Sequence, residues 1–298
     1  MSAADTVLYD APGPRAKRRA MIGAVIVSIG IAALLYVAAA RLHEQGQFSM
    51  ELWGPLVNPA DENFEAVWRL LFRGLQATLT AAVLAIIFSL IVGTALGTAR
   101  MMLGKWSRIP LVGIIELLRG LPVVITIYFA SRVMPELGLD VGFLPGENGL
   151  WFLVIGLTLY NSVIIAEILR AGVASLPRGQ GEAARAIGMT EGSAMRTVLL
   201  PQAFRTMLPA LISQLVVIVK DTSLAAVLGL YIELLRRGNI ISQNLDNPIQ
   251  VLFIVALIFI TLNYALSRLA VWTERRLSRS TGGGSAESAT ASTAAAGA

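Results

Sequence analysis

Lys220 and Asp221 stand side by side in the middle of an apolar run, Leu208 to Leu230, with Thr222 and Ser223 directly after them. An unpaired charge in hydrocarbon costs at least ~2.5 kcal/mol, so an ammonium and a carboxylate at that depth need a use. Successive side chains on a helix point about 100° apart, and the two therefore do not simply neutralise each other. Either they face a path through which a zwitterion passes, its carboxylate against Lys220 and its ammonium against Asp221, or they lock this segment to another. Pro209 is expected to distort the start of the same helix. Glu116 and Arg119 form a second polar set: one turn apart, they can pair along a helix, and Gly120 and Pro122 just after them can break it and free backbone groups. A pair that merely holds a kink is the plainer account. Asn161, inside the run Leu150 to Leu169, suits ligand contact or helix packing equally well.

A different chemistry lies between the apolar runs. Pro177-Arg178-Gly179-Gln180-Gly181-Glu182-Ala183-Ala184-Arg185-Ala186-Ile187-Gly188-Met189 is polar, and Val198-Leu199-Leu200-Pro201-Gln202 follows after Thr190 to Thr197. Pro177 suits a helix start, and Gln180 to Ile187 can form a short helix whose Ala183, Ala184 and Ala186 leave a flat surface for another protein. Gly188 permits the positive φ that stops it, and Thr190 can cap a second helix running towards Leu200. Glu182, Arg185, Glu191 and Arg196 keep the unit wet. Helix physics alone is compatible with a docking device or with an ordinary amphipathic loop.

The elements that must position these groups are membrane helices. Hydrophobic residues make up 55% of the chain and charged ones 14%, with a mean hydropathy of +0.68, which excludes an ordinary soluble domain. The net charge of +5 does not signal nucleic acid, because the Lys and Arg flank apolar segments instead of forming a basic face. There is no Cys, which excludes disulfides, iron–sulfur clusters and thiolate catalysis. Six runs reach the ~20 apolar residues a spanning helix needs: Met21 to Ala40, Leu75 to Ala99, Ile109 to Met134, Leu150 to Leu169, Leu208 to Leu230 and Ile249 to Trp272. Gly93 and Gly97 in the second are spaced for close helix packing. Trp53, Trp68, Trp151 and Trp272 fall near span ends, where an amphipathic ring prefers the headgroup level. His43 has neither a second imidazole nor a suitably spaced acid, so no metal site is expected.

The cationic flanks set the orientation. Arg15, Lys17, Arg18 and Arg19 precede the first span, Arg100, Lys105 and Arg108 join the second to the third, five Arg lie from Arg170 to Arg205, and Arg275, Arg276 and Arg279 follow the sixth. Both termini and the Pro177 to Pro201 loop are therefore expected inside, although Arg41, Arg69, Arg73, Arg236 and Arg237 fall on the other side and weaken the asymmetry. The first apolar run also has the outline of a cleaved signal peptide, but it is long for that and fits a span better. The segment Arg41 to Arg73 is an external connection with an interfacial helix expected near Phe64 to Phe72. The division is a cytoplasmic segment, 1–20; an extra transmembrane helix with its external loop, 21–72; a transmembrane domain, 73–276; and a disordered cytoplasmic tail, 277–298.

Glu182-Ala183-Ala184, three residues, Gly188, nine residues, then Val198-Leu199-Leu200-Pro201 resembles the signature of binding-protein-dependent ABC importer permeases, E-A-A, x3, G, x9, I-x-L-P, with Val for Ile as the one change. Gly74-Leu75-Gln76-Ala77-Thr78-Leu79, Glu116-Leu117-Leu118-Arg119-Gly120-Leu121-Pro122, Ala166-Glu167-Ile168-Leu169-Arg170, Pro177-Arg178-Gly179-Gln180 and Lys220-Asp221-Thr222-Ser223-Leu224 narrow the resemblance to polar amino acid permeases, and it looks most like the glutamate-type members. The resemblance runs from about Arg73 to Arg276. It implies an all-α integral membrane protein with six transmembrane helices, a five-helix importer permease core plus one N-terminal helix, and a cytoplasmic coupling helix, in a bacterial plasma membrane with both termini cytoplasmic. It implies as partners an ABC ATPase dimer, a second permease subunit, identical or homologous, and an extracellular solute-binding protein that delivers a polar amino acid; membrane lipid surrounds the spans.

The coupling residues it implies are Gly179, Gln180, Glu182, Ala183, Ala184, Gly188 and Pro201. The substrate path would draw on Arg119, Pro122, Thr126, Asn161, Lys220, Asp221, Thr222 and Ser223, although related permeases usually carry Gln where this chain has Thr126. No cofactor is expected on the chain itself. Gly104-Lys105 is followed by Trp106 where a phosphate-binding loop needs Ser or Thr, and Ala99 stands where its earlier Gly should be, so ATP and magnesium would belong to the partner and the chain would not be an enzyme. The competing reading, a secondary transporter or channel subunit without ATP, lacks internal repeats, a second mid-span acid and a filter-like sequence.

Overall fold

The computed structural model describes residues 13–281; most of the segment read as a disordered tail lies outside them. Thirteen α-helical stretches follow one another: α1 (Pro14–Glu44), α2 (Met50–Val57), α3 (Phe64–Met102), α4 (Lys105–Gly120), α5 (Val123–Tyr128), α6 (Met134–Glu136), α7 (Asn148–Ser175), α8 (Gly179–Ala186), α9 (Glu191–Ala194), α10 (Leu200–Asp221), α11 (Leu224–Leu228), α12 (Leu234–Leu245) and α13 (Pro248–Thr281). Single π turns, Phe129–Val133 and Met195–Leu199, join α5 to α6 and α9 to α10. Five helices are long and apolar enough to cross a membrane, and a bent pair makes a sixth crossing when counted as one span.

That pair corrects the third expected span. Ile109 to Met134 is not one helix, because α4 and the helix beginning at Val123 meet at 107°. Pro122 has no N–H to continue α4 and forces its predecessor, Leu121, into extended backbone, φ −85° and ψ 142°. The interfacial helix expected at Phe64 to Phe72 is likewise not separate. It is the first part of α3, whose 39 residues extend about 58 Å at 1.5 Å per residue, well beyond a ~30 Å hydrocarbon core. In the fifth span, α10 passes through Pro209 without ending. Its end comes at Asp221, with Thr222 and Ser223 forming a turn before α11, so the polar tetrad lies at a break and not inside a continuous helix.

The centre of the fold is the contact of α3 with α7. A Cβ added at Gly93 would stand 2.7 Å from the Ser162 carbonyl oxygen, and one at Gly97 would stand 3.0 Å from that of Ala166; the two glycines let the backbones meet. Around this seam Ala81 and Ala85 of α3, Ile127 of α5, Leu153, Val154 and Leu157 of α7, Ile218 of α10 and Ala225 of α11 form a buried cluster. A second cluster joins Leu56 of α2 to Val67 and Leu71 of α3, Leu234 and Ile241 of α12, and Val251 and Val255 of α13.

The two N-terminal elements differ sharply. α1 contributes no buried residue. α2 buries Gly54, Pro55 and Leu56, and the segment around it is tied down by polar contacts: Gln250 donates to the Gln47 carbonyl at 2.6 Å, Trp53 to the same carbonyl at 2.9 Å, and Asn247 to that of Leu52 at 3.0 Å. Trp53 also meets Phe253 edge to face, with centroids 5.9 Å apart. The segment between α1 and α3 is thus part of the packed body.

Candidate functional site

α8 and α9 form the expected helix, turn, helix between the long helices α7 and α10. α8 ends in a left-handed residue, Gly188 at φ +87°. Met189 N–H then donates to the Ala184 carbonyl at 3.1 Å and Gly188 N–H to that of Arg185 at 2.9 Å, the paired closing bonds of a Schellman end. Thr190 caps α9 by accepting from Ser193 N–H at 3.2 Å. The alanines divide by face. Ala184 is buried and Gly181 faces Leu199, so this side of α8 rests on the π turn, while Glu182, Ala183, Arg185 and Ala186 are exposed. Gln202 donates to Gln180 at 3.3 Å and holds the start of α8 to α10; Gly179 and Pro201 lie exposed beside them. Ile187, 79% exposed, offers an apolar knob that the sequence reading did not single out.

Glu116 and Arg119 do pair within α4, at 2.7 Å, but they belong to a larger set. Arg100, near the end of α3, lies 3.7 Å from Glu116 and also pairs with Glu167 of α7, which holds Arg170 at 3.0 Å. Five charges thus alternate in sign, Arg119, Glu116, Arg100, Glu167 and Arg170, and tie α3, α4 and α7 together at the end of the bundle that carries the α8 loop. Arg100 retains 12% side-chain exposure and Glu167 17%. In the sequence Arg100 stands as one of the cationic flanks and Glu167 only as part of a motif. The available signal was the repeated Glu-x-x-Arg spacing, 116/119 and 167/170, in two different spans, with Arg100 near a span end and able to serve both.

The remaining residues assigned to a path enter separate contacts. Thr126 is buried and its one hydroxyl proton is shared between the carbonyls of Val123, at 2.7 Å, and Gly156, at 2.9 Å, fastening α5 to α7. Asn161 is fully buried, donates to Leu157 at 2.8 Å and accepts from Gln214 of α10 at 2.7 Å, so it is engaged in packing α7 against α10. Thr222 and Ser223 donate back to the carbonyls of Val219 and Lys220. Lys220 is exposed, whereas Asp221 is partly buried with its Oδ2 covered and without a hydrogen bond. The two differ in exposure, and no ion pair joins either of them to another of the described residues. Pro122 sits at the 107° break, as N-cap of α5.

Residues 85–279 match the family described as binding-protein-dependent transport system inner membrane component. The chain is 40% identical over 238 residues to the glutamate transport system permease protein GluD of Corynebacterium glutamicum, covering 79% of this chain and 83% of that one. To the L-cystine transport system permease protein TcyB of Bacillus subtilis it is 31% identical over 222 residues, covering 74% and 92%. A crystal structure of an amino acid ABC transporter with histidines superimposes with a TM-score of 0.63 at 29% identity, over 72% of this chain and 96% of that one.

Proposed function

Because the chain belongs to the family of binding-protein-dependent transport system inner membrane components and is an amino acid ABC importer permease within it, we propose that it forms the membrane path of an ATP-driven glutamate importer. The observation that carries the reading is the closed unit α8, Gly188, Thr190 and α9, an exposed helix with fixed ends set between two spans. Its partners are two cytoplasmic ATPase subunits, which bind ATP and magnesium, a second permease subunit, and an extracellular receptor that delivers the amino acid. The glutamate assignment rests on the higher identity to the glutamate permease, 40%, than to the cystine permease, 31%.

The docking face of α8 combines Glu182 and Arg185 with Ala183 and the apolar Ile187, charge for register and a knob for burial. Behind it the chain stays helical from Glu191 through the π turn to Asp221. A displacement of the loop is therefore delivered along a stiff rod to the break at Thr222, beside Lys220 and Asp221. Met195, at the root of this rod, lines the same cleft as Arg100 and Arg170, so the loop also bears on the alternating charges that close the bundle at this end. Substrate passing Lys220 and Asp221 would meet a cation for its carboxylate and an anion for its ammonium group.

The test is uptake of labelled glutamate into proteoliposomes holding the complete complex, with ATP inside and receptor outside. Uptake is expected to require both, and to fall with ATPase co-purification when Gly188→Asp or Glu182→Lys is introduced. Uptake that proceeds without ATP, or normal assembly and transport in both variants, would overturn the reading.

A further inference from the structure

Two clefts meet at the loop end of the bundle, and cations line both. The first, about 300 Å³, is bounded by Arg100 and Met101 of α3, Arg108 of α4, Arg170 and Val173 of α7, and Met195. The second, about 480 Å³, is bounded by Lys105, Arg108, Ile109 and Val112, all on α4. Arg108 belongs to both. The spacing 105, 108, 109 and 112 is that of one helix face, so this face presents an ammonium and a guanidinium beside two aliphatic side chains. That combination suits an amphiphile, with an anionic head and a hydrocarbon tail.

Charge accounting points the same way. Arg100, Arg119 and Arg170 are balanced in part by Glu116 and Glu167, while Lys105 and Arg108 enter no ion pair among the described residues. Among the described residues neither cleft has an acidic side chain on its wall. The Nε of Arg100 is buried without a hydrogen-bond partner. Trp106, next to Lys105, is 81% exposed, and an indole prefers the headgroup level of a bilayer. The first cleft lies between α3, α4 and α7 and the second is an open face of α4; basic surfaces of this kind at that level are suited to lipid phosphates.

We propose that these joined clefts are a binding site for one anionic phospholipid, its phosphate held by Lys105 and Arg108 where the clefts meet and an acyl chain lying along Ile109 and Val112. Such a lipid would lie beside Met195 and the Arg100 to Glu167 contact, so its occupancy would bear on the same junction that the α8 loop acts upon.

The test uses the full chain, purified in mild detergent and titrated in native mass spectrometry with dioleoyl phosphatidylglycerol, dioleoyl phosphatidylcholine, inorganic phosphate and glycerol 3-phosphate. Retention of one phosphatidylglycerol per chain is expected, with no comparable retention of phosphatidylcholine. The Lys105→Gln, Arg108→Gln variant is expected to bind about thirtyfold more weakly, whereas Arg18→Gln, Arg19→Gln, which removes two cations from the same end of α1, keeps the affinity. Equal loss in both variants would reduce the effect to diffuse attraction, and displacement by inorganic phosphate or glycerol 3-phosphate at lipid-like concentrations would mean a site for soluble anions; either result overturns the proposal. A second variant, Ile109→Ser, Val112→Ser, keeps every charge and is expected to lose the preference for dioleoyl over dihexanoyl phosphatidylglycerol. An unchanged chain-length preference would overturn it independently of how the charge variant folds.

Discussion

At the scale of single residues, Lys220 and Asp221 separate two outcomes. Lys220 is exposed and Asp221 has no partner for its covered oxygen, so neither is closing an ion pair whose loss would unfold the chain. Lys220→Met and Asp221→Asn are therefore expected to leave the amount of folded complex unchanged while uptake per ATP hydrolysed falls. A lock to the second permease subunit predicts the reverse: a cost of ~3 to 5 kcal/mol for each single variant, little folded complex, and rescue in Lys220→Met, Asp221→Leu. Glu233, between the last two spans, offers a pH test. Burial pushes its carboxyl above the ordinary value, against hydrogen bonds from Leu235 and Arg236 N–H groups and the Thr78 hydroxyl that pull it down. A carboxyl with a raised folded pKa holds its proton more tightly when folded. Its contribution is most favourable below the unfolded value, about 4.5, and is lost as pH rises through the folded value. Thermal unfolding of the purified chain should thus show stability falling across that window, and Glu233→Gln should flatten the slope. A slope unchanged by Glu233→Gln would assign the pH dependence to other groups. Glu233 was not foreseen, because its role depends on Thr78, which is far away in sequence and adjacent only in the fold.

At the scale of elements, α1 and α2 are opposites, and length misleads about which belongs to the core. α1 is long and apolar enough to span yet has no buried residue; α2 is only eight residues long but places Leu56 in the cluster shared with α3, α12 and α13. Removal of residues 1–44 is accordingly expected to leave a monodisperse chain with an unchanged melting temperature in detergent. Leu56→Ala in the full chain should lower it, at a cost of ~2 to 5 kcal/mol for a truncated core leucine. Equal melting temperatures for the full chain and Leu56→Ala would show that α2 is not part of the core. The apolar runs announced where long helices lie, since twenty apolar residues have few alternatives. They did not announce α2, which is stabilised by contacts with α13 two hundred residues on, nor the bend that turns Ile109 to Met134 into two helices. Pro122 and Gly120 marked that break in advance; the angle depends on how α4 and α5 pack against α7.

At the scale of the whole molecule, the cationic flanks make an orientation testable. A reporter active only in the cytoplasm is expected to signal after Arg279 and within Thr190 to Met195, and to be silent near Asn58 or Glu147. Signal at Asn58 would show that α1 does not span, and silence at Thr190 to Met195 would reverse the bundle. The sequence by itself determined the class of the molecule, the apolar runs long enough to cross a membrane and the helix, turn, helix between Pro177 and Pro201, because each depends on local properties: the length of an apolar run, a glycine free to take positive φ, a threonine within reach of a helix end. It also determined the family, since a spacing such as that from Glu182 through Gly188 to Pro201 is preserved within a single stretch of chain. Only the tertiary structure decided how the polar residues are used. It committed Thr126 to Gly156 and Asn161 to Gln214, left Asp221 uncommitted, joined Arg100 to both Glu-x-x-Arg pairs, and brought Lys105, Arg108 and Arg170 to adjoining clefts. A buried polar group is defined by the group opposite it, and that neighbour comes from a distant part of the chain.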